Sequence, residues 1–444
     1  MDLAWIDQFI DNIRPYVHVR ETDRLFIKKP NTAYKLNSSG VEVLEFLLNK
    51  GGSVIDILYA HGDRDDVSED LNRFFLDLKR LLEGKMCEFY QSPAVQRVPF
   101  ELGYNALPVL SEVAITYRCN LSCRFCYAGC GQGCSRGNGS EMILSQIKRI
   151  LEIIYKEAQA PTVSFTGGEP LLRSDLPKMV VFAKSLGFRV NLITNGTLAT
   201  TERVKVLADA GLDSAQVSIE GSRSQIHDGI TGLPGSFEQS VAGIKSIKAS
   251  GIPVHHHTTM NRFNWDDLDR MPQLAADLGL DRLSMNMVIP TGTAEDNSEI
   301  LVRYSEVEEK LLEVKAHAET VGVQFLWYSP TPLCIFNPIT NGLGNKGCAA
   351  CDGLLSVAPD GSLLPCSSYN KPVGNLLEES FEKIWKSREA HYFRYKHQAP
   401  PICRSCDRLA ICNGGCPLYW RAMGYEELHQ HQGIHEHTKE HCFS

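Results

Sequence analysis

The chain has 444 residues, and 45 Lys+Arg against 53 Asp+Glu give a formal net charge of −8 at pH 7. That length suggests two or three domains, and the mild acidity argues against a nucleic-acid partner, which more often meets a basic face. No run of about 18 apolar residues exists for a transmembrane helix, and the opening MDLAWIDQFIDNIRPY carries early acids rather than a basic-then-apolar signal peptide. A soluble, cytoplasmic protein is expected, with no membrane partner. In that reducing compartment the 15 cysteines read poorly as a disulfide framework.

Along the first hundred residues, Leu3, Ile6, Phe9, Ile10 and Ile13 recur at helical spacing until Pro15. Short extended stretches follow at 16–19, 25–28 and 33–37, with a turn at Lys29-Pro30-Asn31. Ser38 or Ser39 is expected to cap a helix through Leu44, Leu47 and Leu48, which Gly51-Gly52 breaks. Further helices are expected near 54–60 and 67–82, the latter with Leu71, Phe74, Phe75, Leu78 and Leu82 facing inward. Small strands followed by three helices give residues 1–100 a winged-helix-like outline.

From residue 109 the texture becomes an α/β alternation. Strands are expected at 113–116, 163–166, 190–194, 215–219, 254–259 and 283–287. Helices are expected between them at 144–158, 176–186, 201–210, 237–250 and 265–278. Six βα units in series predict a parallel sheet wound with helices, a partial (β/α)6 TIM-like barrel over 109–330. A helix at 305–321 and an extended stretch at 324–328 complete that region. Residues 331–444 are turn-rich and Cys-rich, with one clear helix at 380–387. So few apolar residues remain there that metal is expected to stand in for a core.

The cysteines cluster rather than scatter. Cys87 stands alone, five lie from Cys119 to Cys134, and nine lie from Cys334 to Cys442. Such clustering at ligand spacings favours metal or iron–sulfur binding. Cys119, Cys123 and Cys126 form C-x3-C-x2-C directly after the first barrel strand. Three thiolates on one tight loop can hold three irons of a cubane and leave the fourth open, whereas structural zinc takes four ligands. Thr166-Gly167-Gly168-Glu169-Pro170 ends the second strand, where two glycines let backbone approach a ligand and Glu169 can receive an ammonium group.

This triplet, the aromatic Tyr127 after it and the Gly-Gly-Glu-Pro sequence together resemble the radical S-adenosylmethionine (radical SAM) superfamily. The resemblance implies that Cys119, Cys123 and Cys126 ligate a catalytic [4Fe-4S] cluster whose unique iron is chelated by S-adenosylmethionine. It implies that Gly167, Gly168 and Glu169 contact the amino group and that Ser218 and Glu220 contact the ribose or carboxylate. Asn195, within Thr194-Asn195-Gly196, and Ile289-Pro290 resemble secondary contact segments. Electron delivery, from a donor such as ferredoxin or flavodoxin, would then cleave the cofactor to methionine and a 5′-deoxyadenosyl radical that takes hydrogen from substrate.

Further on, Cys348-x2-Cys351, Gly361-x4-Cys366, Cys403-x2-Cys406-x5-Cys412-x3-Cys416 and Cys442 resemble the SPASM extension of radical SAM peptide and protein maturases. The family's interleaved connectivity implies one auxiliary [4Fe-4S] cluster on Cys348, Cys351, Cys366 and Cys416. A second would lie on Cys403, Cys406, Cys412 and Cys442, making three clusters in all, with zinc in one site as the alternative. Cys334 competes with Cys348 as a ligand. Cys130 and Cys134 read as incidental thiols, an extra ligand pair or a redox pair, and Cys87 as a packed thiol. Of His255-His256-His257, adjacent on a strand, only His255 and His257 can share a face, and packed histidines are the plainer reading. His429, His431, His435, His437 and His441 read as a solvated polar helix.

The amino-terminal outline resembles the peptide-recognition element of the pyrroloquinoline-quinone chaperone, which captures a leader peptide as an added strand. The expected function is therefore an enzyme that modifies a ribosomal peptide or partner protein by cross-linking, oxidation or epimerisation. Maturation of a small cofactor, such as a modified haem or metal cofactor, is the alternative. An iron–sulfur electron carrier or scaffold is the non-enzymatic one, and it leaves Gly-Gly-Glu-Pro without a purpose.

Overall fold

The computed structural model describes residues 3–30, 32–62, 64–83, 102–103, 105–130 and 140–430. Cys87, Cys134, Cys442 and the histidines beyond His429 lie outside them. The amino-terminal module opens with α1 (Ala4–Ile13) and a three-stranded antiparallel sheet, β1 (Val17–Arg20), β2 (Leu25–Lys28) and β3 (Thr32–Lys35), in the order β1-β2-β3. Helices α2 (Ser38–Leu48), α3 (Val54–Ala60) and α4 (Asp65–Leu82) follow. The cap of α2 is Asn37, not Ser38 or Ser39: its side chain accepts from the Gly40 N–H at 2.7 Å. Ser53 and Asp56 form a capping box on α3. Ile6, Ile10, Phe26, Leu44, Leu47, Phe75 and Leu78 close a core of this module's own.

Seven parallel strands build the central body: β4 (Leu110–Thr116), β5 (Thr162–Gly167), β6 (Arg189–Thr194), β7 (Ser214–Ser218), β8 (Val254–Met260), β9 (Arg282–Met287) and β10 (Gln324–Trp327). The helices between them are α5 (Leu144–Lys156), α6 (Leu176–Leu186), α7 (Thr201–Asp209), α8 (Ser224–Thr231), α9 (Ser236–Ala249), α10 (Met271–Asp277) and α11 (Val307–Thr320). The expected helix at 265–278 is two pieces, a 3-10 segment Trp265–Arg270 and then α10. Pro272 explains the split, because it has no N–H to give and cannot lie inside a continuous helix, yet suits a first turn.

The Cys-rich segment does not stand apart. Strand β11 (Leu354–Val357) pairs in parallel with β4, and β12 (Ser362–Leu364) and β13 (Gly374–Asn375) extend the same sheet to ten strands. Beyond them lie α12 (Phe381–Trp385), α13 (Arg388–Arg394), α14 (Leu409–Cys412), α15 (Pro417–Met423) and α16 (Glu426–Gln430). Leu355, Val357, Phe381, Trp385, Leu418, Tyr419 and Trp420 join the barrel's own core cluster. The expectation that metal replaces a core here is corrected on that point. The segment borrows the barrel's core. No described helix is long and apolar enough to cross a membrane.

The amino-terminal sheet docks at the end of the barrel where the strands begin. Arg20, fully buried, forms a two-pronged pair with Asp23 at 2.8 Å and donates to the carbonyls of Pro108 (2.7 Å) and Leu107 (3.0 Å). Asp23 accepts in turn from the Ala106 N–H at 3.1 Å. Leu25 and Ile27 pack on Val109. Replacing Arg20 by Ala would leave the Asp23 carboxylate buried without its cation, a loss of about 3–5 kcal/mol. The lowered midpoint should be read in chemical denaturation, and an unchanged one would remove this pair from the docking.

Candidate functional site

Strand β4 runs out at Thr116, and the chain turns into the loop that carries Cys119, Cys123 and Cys126. Neighbouring strand ends hold this loop by its backbone. The Gly168 N–H donates to the Thr116 carbonyl (2.8 Å) and the Glu169 N–H to the Arg118 carbonyl (2.9 Å). From α8, the carbonyls of Thr231 and Ile230 accept from Ser122 N–H (2.9 Å) and Arg124 N–H (3.0 Å). From the loop after β9, Thr293 donates its N–H to the Cys126 carbonyl and its hydroxyl to the Cys123 carbonyl, both at 3.0 Å.

Glycines make this closeness possible. A Cβ on Gly167 would stand 2.0 Å from the Thr116 carbonyl oxygen, one on Gly168 2.3 Å from that of Arg118, and one on Gly292 2.0 Å from that of Cys126. Gly167 and Gly168 thus also serve close approach to the cysteine loop itself, a contact the sequence reading did not name. Gly292 escaped the sequence reading, since a single Gly after Pro290-Thr291 carries no motif.

Two thiol sulfurs of the loop accept backbone N–H groups, Cys119 from Leu121 at 3.4 Å and Cys126 from Cys130 at 3.3 Å. Burial pushes the Cys119 thiol up to about 11 and the Cys123 thiol well above its ordinary value. Cys126 is lowered to about 7, first because the Cys130 thiol hydrogen-bonds to it. Cys130, for which the sequence left several readings open, is buried against the loop.

The expected cofactor contacts gather round the same loop. Glu169 is buried, and its carboxylate accepts from the Leu171 N–H (2.9 Å), the Thr194 hydroxyl (2.7 Å) and the Asn195 N–H (2.8 Å). It braces the ends of β5 and β6, and burial raises its pKa. The Asn195 side chain donates to Asn120 at 3.0 Å and lies 3.9 Å from the Cys119 sulfur. Ser218 ends β7. Glu220, two residues on, accepts from the Thr259 N–H at 2.9 Å and donates its own N–H to His227 Nδ1 at 3.0 Å. Burial pushes its carboxyl up to about 8, and its charge is felt at Cys123.

Beneath the loop, the inner face of the sheet is polar. Ser356, Glu112, Ser164, Asn191 and Ser214 follow one another in register across β11, β4, β5, β6 and β7. They are linked by hydrogen bonds from Ser356 to Glu112 (2.5 Å), Asn191 to Ser164 (3.3 Å) and Ser214 to Asn191 (2.8 Å). Nearer the cysteine loop, His257 lies between Ser218 and Ser284 in register, with Nδ1 2.8 Å from the Ser284 hydroxyl and its ring stacked on Tyr328. His255 shares its face and His256 takes the opposite one. Burial lowers the pKa of His255 to about 3 and of His256 and His257 to about 4, so all three are neutral at pH 7.

In the Cys-rich segment the described thiols fall into two sets. Burial, and after it the charge of Cys348, raises the pKa of Cys351, Cys366 and Cys416, which groups these four thiols together. Buried Lys396 and Arg394 donate to the carbonyls of Cys348 (2.7 Å) and Cys351 (3.0 Å), placing cations beside that set. The second set is Cys403, Cys406, Cys412 and Cys334, which line one cavity. None of the described cysteines is in a disulfide. Among the described residues no three His, Cys, Asp or Glu converge closely enough for a single metal ion. Thiols spread around a cavity, with N–H groups aimed at sulfur, fit the wider span of an iron–sulfur cluster.

Residues 113–297 match the model of the radical SAM superfamily and residues 348–407 that of SPASM, an iron–sulfur cluster-binding domain. The chain is 31% identical over 325 residues to the PqqA peptide cyclase of Ruegeria pomeroyi, a match covering 70% of this chain and 82% of that one. The chain belongs to the radical SAM superfamily. This radical SAM protein is likewise 28% identical over 327 residues to the AdoMet-dependent heme synthase of Oleidesulfovibrio alaskensis, covering 70% of this chain and 82% of the relative. Its fold resembles that of SuiB from Streptococcus suis, solved with its precursor peptide SuiA. The TM-score is 0.68 at 16% identity, covering 91% of this chain and 95% of the other.

The protein is thus an enzyme of the radical SAM class, with [4Fe-4S] clusters and S-adenosylmethionine as its cofactors. The glycine contacts give a direct test of how its loop is held. Gly292→Ala should lower iron retained after anaerobic reconstitution, read by iron assay and visible absorbance. Gly229→Ala, in α8 with nothing within 4 Å of the new methyl, should retain iron fully. Equal iron in both variants would show that the Gly292 contact does not hold the loop.

Proposed function

We propose that the enzyme modifies a ribosomally made peptide or partner protein, guided by its amino-terminal module. The observation that carries this reading is β3, which among the described residues pairs with β2 on one side and with no strand on the other, an edge that an incoming strand could take. The names of the PqqA peptide cyclase relatives and of the SuiB complex with its precursor peptide support it.

In this reading residues 1–100 recognise the peptide, 109–330 carry the radical chemistry and 331–444 the auxiliary clusters. Cys119, Cys123 and Cys126 hold the catalytic cluster. Gly167, Gly168, Glu169, Asn195, Ser218 and Glu220 position S-adenosylmethionine over it. The bound cofactor, reduced through a donor such as ferredoxin or flavodoxin, supplies a 5′-deoxyadenosyl radical that abstracts hydrogen from the substrate. The chain's own part is to fix that geometry and to offer the polar lumen of Glu112, His255 and His257 to the modified side chain. Cys348, Cys351, Cys366 and Cys416 hold one auxiliary cluster, and Cys403, Cys406 and Cys412 contribute to another. The number of free thiols suits the reducing cytoplasm.

A second reading, tetrapyrrole maturation, is favoured by the heme synthase relatives. One experiment separates the two: enzyme, S-adenosylmethionine and reductant incubated with a leader-bearing peptide or with a tetrapyrrole. A mass change in the peptide supports the proposal, and a change confined to the tetrapyrrole overturns it. Substituting Cys119, Cys123 and Cys126 together by Ala should abolish 5′-deoxyadenosine formation, and its persistence would remove the loop from catalysis.

A further inference from the structure

The family pattern offers Cys442 as the fourth ligand of the second auxiliary cluster, while Cys334 has no assigned place. The described thiols partition otherwise. Cys348, Cys351, Cys366 and Cys416 already make a complete set of four. Cys334 is thereby released from competition with Cys348.

Its neighbours lie elsewhere. After β10, the Thr331 hydroxyl accepts from Trp327 Nε1 at 2.9 Å, and the Tyr304 hydroxyl donates to the Pro330 carbonyl at 2.7 Å. The Pro332 ring then packs against Gly415, where a Cβ would stand 2.8 Å from its Cγ. The chain turns there, with the N–H groups of Ile335 and Phe336 both reaching the Pro332 carbonyl, at 3.0 and 3.1 Å. That turn presents Cys334 to a cavity lined by Cys403, Cys406 and Cys412, and the preceding Leu333 N–H donates to the Cys412 sulfur at 3.3 Å. A backbone N–H aimed at a ligand sulfur is a usual accompaniment of cluster thiolates. After the larger effect of burial, the charges of Cys412 and Cys406 are felt at both Cys334 and Cys403, and that of Cys334 at Cys403.

We propose that Cys334 supplies the fourth thiolate of the second auxiliary cluster, with Cys403, Cys406 and Cys412, and that this cluster closes without Cys442. The inference rests on the reading of these thiols as cluster ligands. It ties the strand end after β10 to the Cys403–Cys412 segment, so that the cluster staples the last strand of the barrel to the SPASM region.

The test compares full-length wild type, Cys334→Ala and Cys442→Ala, reconstituted anaerobically, by iron assay and by Mössbauer and EPR spectra of the clusters. Wild type should hold about twelve irons, three cubanes of four. Cys442→Ala should keep all of them with unaltered spectra. Cys334→Ala should drop to about eight irons, or keep a cluster whose spectrum has changed at one open site. Loss of iron or an altered spectrum in Cys442→Ala overturns the proposal, as does an unaltered spectrum in Cys334→Ala. Should Cys334→Ala fail to fold, the Cys442→Ala result still decides. About four irons in wild type would instead sink the underlying assignment of auxiliary clusters, an outcome distinct from a wrong fourth ligand.

Discussion

The backbone of the cysteine loop passes within contact distance of two other strand ends, and the rest of the site depends on that closeness. Carbonyl oxygens of Thr116, Arg118 and Cys126 occupy the space where Gly167, Gly168 and Gly292 would otherwise carry a Cβ. Because Gly167 and Gly168 follow β5 and Gly292 lies in the loop after β9, the loop after β4 is held both by its neighbouring strand and from farther along the sheet. Glu169 adds a further tie, taking hydrogen bonds from Thr194 and Asn195 at the end of β6. A three-thiol loop needs such bracing. In the proposed reading it gives the cluster three ligands, and the surrounding backbone fixes the positions of the sulfurs.

Burial sets the chemistry of the thiols. Cys351, Cys403 and Cys416 are each pushed up to about 12 by desolvation, so as free groups they are neutral thiols at pH 7. As ligands in the proposed clusters they would ionise against the positive charge of iron, and binding would release protons. Lys396 and Arg394, donating to the carbonyls of Cys348 and Cys351, lower the cost further on one side. At the catalytic loop the balance differs, since Cys130 lowers Cys126 to about 7. Within the lumen burial leaves His255 and His257 uncharged at pH 7 and raises the pKa of Glu112.

Much of this was legible in the residues. Strands β4 to β9 were expected within a few positions, because they are short runs that alternate with periodic helical stretches. The spacing of Cys119, Cys123 and Cys126 announced the loop. What escaped has identifiable causes. The segment Ser224–Thr231 is a short helix whose sequence SQIHDGIT holds a Gly and few strong helix formers, so tertiary contact with the cysteine loop outweighs its propensity. Glu112, Ser164, Asn191 and Ser214 alternate with apolar neighbours, a pattern that in an open sheet means a solvated face. Only the curl of the sheet into a partial barrel turns that face inward. Cys334 stands fourteen positions before Cys348, too far to read as part of a spacing motif, and only the turn at Pro332 brings it to Cys403.

The account stands on an iron left open by a three-thiol loop and filled by S-adenosylmethionine. The most direct measurement is electron–nuclear double resonance of the reduced enzyme with S-adenosylmethionine carrying 15N at its amino group. A hyperfine coupling to that nitrogen, lost in Cys119→Ala, is the predicted result. A cluster signal indifferent to the label would contradict it.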